Sequence, residues 1–321
     1  MESIAKVNTD TERCNHIRRR QVQRSHVTAS DGTRLAVREV GPTDAPLTFV
    51  FAHGYCLRMA SWRPQLDRLE AHWGSQVRLV AYDQRGHGAS ELADPSTCTI
   101  DQLGHDLQSV LDAVAPVGPI ITAGHSMGGM SILAHAKQFP HMIGGRIAGT
   151  ALVSTAAEGL IKAGVLPGWN KPVIEAFRIA MTVAPDFANR SKGAALKLLS
   201  PVLRTAMYGL RPVHDATVDQ SNAMLGATGL ATVSAFIRSL EHHDDTAAFP
   251  VLASIPVLVA CGDTDIATPL RNSLKIAEAL PDVEMLEVRD AGHMLQMEHP
   301  DLVAEALVRL ARRATQSVDA A

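Results

Sequence analysis

The chain is 321 residues long, 46% hydrophobic, and carries 30 basic against 33 acidic side chains for a net charge of -3. That length and apolar content allow a substantial buried core in one large or two ordinary domains. The near-neutral charge supplies no field to recruit nucleic acid or an anionic membrane surface, so small-molecule chemistry is the expectation.

Four scattered cysteines (Cys14, Cys56, Cys98, Cys261) include no C-x-x-C pair, which argues against a zinc knuckle or a dense disulfide framework and fits a reducing, cytoplasmic setting. Residues 1 to 23 are polar and carry Arg18-Arg19-Arg20 with no apolar run behind them, as a flexible leader would and a secretory signal would not. No stretch approaches the roughly eighteen uninterrupted apolar residues of a membrane span.

Order is expected from near Arg24. Val27 to Ser30 and Leu35 to Val40 flank Asp31-Gly32 and read as two antiparallel strands joined by a tight turn. Leu47 to Ala52 is short, apolar and rich in β-formers, as a strand buried on both faces is; it ends at His53-Gly54. Ser61 to Leu69 reads as a helix with Trp62, Leu66 and Leu69 on one side, and Val77 to Tyr82 as the next strand. A Gly-rich loop, Asp83 to Ser90, follows. Thr99 is placed to cap a helix reaching Val114, with Leu103, Leu107, Val110, Leu111 and Val114 at helical spacing.

Pro119 to Thr122 then reads as a strand and Met130 to Phe139 as a helix, with Gly124-His125-Ser126-Met127-Gly128 between them. This G-x-S-x-G pattern, set between a strand and a helix, is the context in which a sharp turn lifts a serine hydroxyl above a sheet. Arg146 to Ser154, Ile255 to Ala260 and Val283 to Val288 give further strands, and Leu270 to Leu280 and Asp301 to Arg312 give helices. Strands alternating with helices imply an α/β fold with a mainly parallel sheet covered on both faces. The alternation breaks from about Thr155 to Ala248, where runs such as Val173 to Val183 and Leu230 to Leu240 read as helices; this insertion is expected to cover the strand ends, where ligands of open α/β sheets bind.

A serine hydroxyl needs an adjacent base, and the base a group that fixes its tautomer. In a strand-turn-helix setting of this kind the chain order is serine, acid, histidine. Gly262-Asp263-Thr264-Asp265-Ile266-Ala267-Thr268-Pro269 offers two carboxylates just past a strand, and Gly292-His293 a histidine just past the next.

Together, His53-Gly54, the Asp83 to Ser90 loop, Gly124 to Gly129, Gly262 to Pro269 and Gly292-His293 resemble the α/β-hydrolase family, from about Arg24 to Arg313. The resemblance implies an eight-stranded, mostly parallel sheet with a helical cap between the sixth and seventh strands: a core of 24–154 and 249–321 and a cap of 155–248. It implies a Ser126-Asp265-His293 triad, Asp265 being preferred over Asp263 because the family's G-x-x-D has a proline four residues on. By the same resemblance the backbone N–H groups of Tyr55 and Met127 form the oxyanion hole, and no cofactor or metal is required.

Several other groups read as structural. His53 is expected to shape its loop, the Asp83 to Ser90 loop to pack beside the site, and Glu241-His242-His243-Asp244-Asp245 to be a solvated charged turn, not a metal cluster. Cys56, near the oxyanion loop, has no base assigned. Ser126 disfavours relatives that attack with a carboxylate, and Gly-His-Ser-Met-Gly-Gly looks most like esterases, lipases and haloperoxidase-like perhydrolases. Apolar cap residues (Leu160, Ile161, Val165, Leu166, Ile179, Met181, Leu198, Leu199, Met207, Met224, Leu225) suggest a pocket for a small hydrophobic ester or acyl chain, although they serve equally to glue cap to core. Carbon–carbon or thioester hydrolysis with the same triad, or a non-catalytic receptor on the same fold, stay open.

Overall fold

The computed structural model describes residues 22–158, 204–205, 207–209 and 213–319. Eight strands form one sheet: β1 (Val22–Thr28), β2 (Arg34–Val40), β3 (Leu47–Ala52), β4 (Val77–Tyr82), β5 (Ile120–His125), β6 (Ile147–Val153), β7 (Val257–Gly262) and β8 (Val283–Val288), in the order β1-β2-β4-β3-β5-β6-β7-β8. β2 pairs antiparallel with β1 and β4, and every other pairing is parallel. Among the described residues the helices are α1 (Arg63–Trp73), α2 (Ile100–Val114), α3 (Met127–Gln138), α4 (Asp215–Ala227), α5 (Leu230–His242), α6 (Leu270–Glu278) and α7 (Pro300–Asp319), beside single turns.

Every residue of β3 to β7 is buried, which is why these segments are mostly apolar instead of alternating. Side chains still alternate between the faces. Val50 and Ala52 pack with Leu107, Val110 and Leu111 of α2 and Ile132 and Leu133 of α3. Phe49 and Phe51 pack on the other face with Leu66 and Leu69 of α1 and Leu307 and Leu310 of α7. Thr99 caps α2 as expected, its hydroxyl accepting the Gln102 N–H at 3.1 Å.

Some boundaries differ from the sequence reading. β1 begins at Val22 and ends at Thr28, because it pairs in register with β2 over its whole length. Asp31 and Gly32 lie in a five-residue connection in which Gly32 alone takes a positive φ, 91°. The Asp31 carboxylate accepts the Thr33 N–H and reaches Arg85, so it works as a loop anchor. The final helix runs to Asp319. α4 was not expected: its buried side chains are Val218, Ser221 and Met224, and two apolar residues in that stripe give a weak periodicity. The Val173 to Val183 run lies outside the described residues, as do eight of the eleven apolar cap positions. Met224 is buried, and Met207 packs beside it.

Candidate active site

Because β3 to β8 are parallel, their carboxyl ends share one edge of the sheet, and all the expected site residues follow those ends. β5 stops at His125 and α3 starts at Met127, so Ser126 alone makes the reversal, at φ 51° and ψ -119°. That conformation is costly for any residue with a Cβ and persists only where surroundings impose it. Here the Ser126 N–H donates to the Val153 carbonyl at 2.9 Å, and its own carbonyl accepts from Gly129, Met130 and the Thr155 hydroxyl. The flanking glycines are required by close approach. A Cβ on Gly124 would lie 2.4 Å from the Gly128 oxygen, and one on Gly128 would lie 2.2 Å from the Ala52 oxygen.

Asp265 is buried, and its carboxylate accepts four hydrogen bonds from N–H and O–H donors, beside a long contact of 4.0 Å from the Cys261 thiol. Oδ1 takes the N–H groups of Ala267 (2.9 Å) and Thr268 (2.8 Å), while Oδ2 takes the Thr268 hydroxyl (2.9 Å) and His293 Nδ1 (2.9 Å). With a carboxylate at Nδ1, the proton sits on Nδ1 and leaves Nε2 as an acceptor. The structure thus brings Asp265 and His293 together. Asp263 does not join them: it is exposed, and its N–H is used by the Val288 carbonyl.

His293 is buried and its loop is held from two sides. The Met207 carbonyl accepts its N–H at 2.8 Å and that of Met294 at 3.1 Å, and its own carbonyl accepts from His125 Nε2 at 2.8 Å. The His293 ring lies 4.9 Å from that of His125, the residue before Ser126 in the chain. No hydrogen bond joins the Ser126 hydroxyl to His293 among the described residues.

Gly54 abuts the same serine. A Cβ there would lie 2.6 Å from His125 Nδ1 and 3.2 Å from Ser126 Cβ. This contact sets the Gly54–Leu57 turn, closed by the Leu57 N–H on the Gly54 carbonyl at 3.1 Å, against the serine. Neither the Tyr55 N–H nor the Met127 N–H has an acceptor among the described residues. His53 Nδ1 donates to the Gly54 carbonyl, and its Nε2 accepts the Gln84 N–H at 2.9 Å. His87 Nε2 likewise accepts the Cys56 N–H at 3.1 Å. Burial holds both imidazoles neutral, pushing His53 down to about 4 and His87 down to about 3. Burial also takes His125 well below the usual histidine range.

The Asp83 to Ser90 loop is therefore scaffolding for the Gly54–Leu57 turn. Asp83 accepts the N–H groups of Met59 and Ala89. The Arg85 guanidinium is fully buried, paired through two nitrogens with Asp106 and through a third with Asp31 and Thr97. The 241–245 segment departs from the solvated turn expected of it. His242 and Asp244 are exposed, but His243 and Asp245 are buried, Asp245 on Lys137 at 2.6 Å and His243 beside the Ala156 carbonyl at 3.3 Å. A groove of about 1160 Å³ runs between the start of α2 and α5, lined by Cys98, Asp101, Lys137, Arg238 and Asp245 among others; it touches neither Ser126, Asp265 nor His293.

Sequence reasoning missed three participants. Thr268 lies inside the quoted acid motif, and a hydroxyl three residues after a turn Asp is a recognisable local pattern. Glu298 accepts the Gly292 N–H at 3.0 Å behind the His293 loop, and burial pushes its carboxyl up to about 7. His125 entered only as a subfamily marker, whereas it ties the serine elbow to the histidine loop.

A family model described as the alpha/beta hydrolase family matches residues 49–306. The chain belongs to that family. It is 30% identical over 295 residues to a non-heme chloroperoxidase of Streptomyces lividans, covering 86% of this chain and 95% of that protein. It is 27% identical over 277 residues to a 3-oxoadipate enol-lactonase of Acinetobacter baylyi, covering 86% and 92%. Among solved structures, a thermophilic esterase from Thermogutta terrifontis superposes with a TM-score of 0.71 at 24% identity, over 91% of this chain and 99% of that one. Among the described residues no single helix is long and apolar enough to cross a membrane.

Proposed function

We propose that the protein is a serine hydrolase that cleaves a carboxylic ester of a small hydrophobic or acyl-chain substrate through an acyl-enzyme on Ser126. The observation that carries this reading is the Asp265–His293 pair, 2.9 Å between Oδ2 and Nδ1, at the same sheet edge as the strained Ser126 turn. In this reading His293 Nε2 takes the Ser126 proton as the hydroxyl attacks the ester carbonyl. The Tyr55 and Met127 N–H groups receive the oxyanion, an interaction whose loss typically costs about 10²- to 10³-fold in kcat. His293 then protonates the leaving alkoxide, and water resolves the acyl-enzyme by the reverse path. Asp265 fixes the Nδ1–H tautomer and balances the imidazolium. The Ser126–His293 hydrogen bond that this step needs is one that forms in the substrate complex.

In this reading residues 155–248 form a cap over a core of 24–154 and 249–321. Its described part touches the site directly, through Met207 on the His293 loop and Tyr208 backed against Gly292. Relatives named as an enol-lactonase and an esterase support ester chemistry and bring cyclic esters within the candidate class. Nothing in this mechanism calls for a metal or an organic cofactor.

The test is turnover of p-nitrophenyl esters of increasing acyl length, with small lactones alongside, by wild type and Ser126→Ala. Turnover abolished by the substitution is expected. Activity that survives it would remove Ser126 as the nucleophile. Fluorophosphonate labelling without ester turnover would move the reading to carbon–carbon cleavage or a ligand receptor.

A further inference from the structure

The turn that presents the Tyr55 N–H is unusually exposed to influence from the insertion. Gly54 to Leu57 is a four-residue turn whose third residue, Cys56, has φ 59°, a left-handed conformation that non-glycine residues adopt only under constraint. The constraint is visible on both sides of Cys56. Its N–H is held by His87 Nε2 at 3.1 Å, and its carbonyl accepts the Thr228 hydroxyl at 3.2 Å. Thr228 sits at the corner where α4 and α5 meet at 94°. One turn further along α5, the Thr232 hydroxyl donates to the Gly86 carbonyl at 3.2 Å, and its side chain occupies the space a Cβ on Gly86 would need.

Tyr55 itself completes the attachment. Its hydroxyl donates to the Val233 carbonyl of α5, and its ring stands edge-on to Phe236 of α5 and to His87. Burial takes the phenol well above its ordinary range, so it remains an O–H donor at any working pH. The ring of Tyr55 thus docks on the insertion helix, while its backbone N–H belongs to the turn that Gly54 sets against Ser126, so one Cα links the two. Tilting that Cα by a fraction of an ångström re-aims the N–H, and oxyanion donors act only when their geometry is fixed beforehand.

We propose that Tyr55 is a positioning residue as well as a backbone donor: its side-chain hydroxyl, docked on the Val233 carbonyl, together with Thr228 on the Cys56 carbonyl, makes helix α5 and the α4–α5 corner before it the support that aims the oxyanion hole. The insertion then does more than cover substrate. It fixes the donor that meets charge developing at the carbonyl oxygen, and it contributes to kcat more than to ground-state binding. This inference rests on the acyl-enzyme reading above.

Tyr55→Phe removes the hydroxyl while keeping the ring and the N–H, and Thr228→Val removes the other tether from the insertion side. Both are measured on the full chain with the best p-nitrophenyl ester, alongside binding of a trifluoromethyl ketone, whose hemiketal oxygen occupies the oxyanion position. Each variant is expected to lose about tenfold in kcat with KM changed less than twofold, and to lose affinity for the ketone by the same factor as kcat/KM. A KM rise at constant kcat, or an unchanged kcat in both folded variants, overturns the proposal. If Tyr55→Phe fails to fold, Thr228→Val alone decides it. Rapid fluorophosphonate labelling of Ser126 in wild type separates the two failures: without it the acyl-enzyme reading falls, and with it an unchanged kcat sinks the tether alone.

Discussion

Replacing Asp265 by asparagine is the substitution whose outcome the geometry specifies most closely. Oδ1 of Asp265 accepts two backbone N–H groups, from Ala267 and Thr268. An asparagine keeps those bonds only by placing its carbonyl oxygen there. Its NH2 then faces Thr268 Oγ1 and His293 Nδ1, which are 2.9 Å from the present Oδ2. An amide donor pointing at Nδ1 demands the opposite tautomer, with the proton on Nε2, and an Nε2–H cannot take the Ser126 proton. Tautomer reversal of this kind costs about 10⁴-fold in kcat, which corresponds to about 5.4 kcal/mol of transition-state stabilisation at about 1.36 kcal/mol per decade. Asp263→Asn is the matched control, because that carboxylate is exposed and lies outside the network; it is expected to stay within about threefold of wild type. Steady-state kinetics on one ester, with circular dichroism to verify folding, decide the matter. An Asp265→Asn enzyme that retains more than a tenth of wild-type kcat would refute the tautomer argument, and inactivation by Asp263→Asn would show that the wrong acid was chosen.

Three further outcomes follow from the same network. Thr268→Val removes one neutral donor to Asp265 while keeping the shape, so kcat should fall about fivefold, the kinetic equivalent of roughly 1 kcal/mol, and Thr268→Ser should restore it; no loss in the valine variant would make the hydroxyl a bystander. Arg85→Met leaves Asp106, itself fully buried, with an uncompensated charge and should cost about 3–5 kcal/mol in urea denaturation. Adding Asp106→Leu should recover most of that cost, and an equally unstable double variant would show that the pair is not the reason. Glu298 has its folded pKa raised from 4.5 to about 7 by burial, so the folded state holds a proton that the unfolded state has already released. Its contribution is therefore present below about pH 4.5 and is lost as the pH rises toward 7. Glu298→Gln should gain stability relative to wild type between pH 5 and pH 7.5; a difference independent of pH would place the titration elsewhere.

The readability of this chain follows the strength of each local constraint. The buried strands were legible because a parallel sheet covered on both faces leaves near-continuous apolar runs, and β3 and β4 were located to the residue. The serine turn was legible because close crossing of α3 over β5 and β3 forbids any side chain at Gly124 and Gly128, a demand that only glycine meets. The choice of Asp265 over Asp263 came from a family pattern, and the reason for it is three-dimensional: only Asp265 finds Ala267, Thr268 and His293 on its two oxygens. α4 was missed because its buried face includes a serine that bonds the Tyr208 hydroxyl at 2.6 Å, so one of the three positions in its stripe is polar. Asp245 and His243 were misjudged as solvated because their burial depends on Lys137 and the Ala156 carbonyl, contacts 108 and 87 residues away in sequence. Such distant pairings leave no periodicity to read.

The central claim is that Ser126 carries the acyl group. The most direct measurement is intact and peptide-level mass spectrometry of the protein quenched during turnover of a slowly deacylating ester, or after reaction with a fluorophosphonate. The account predicts a single adduct of the acyl or phosphonyl mass on the peptide containing Ser126, absent in Ser126→Ala and formed far more slowly in His293→Ala. An adduct on another residue, such as Cys56, or turnover with no covalent species on Ser126, would contradict it.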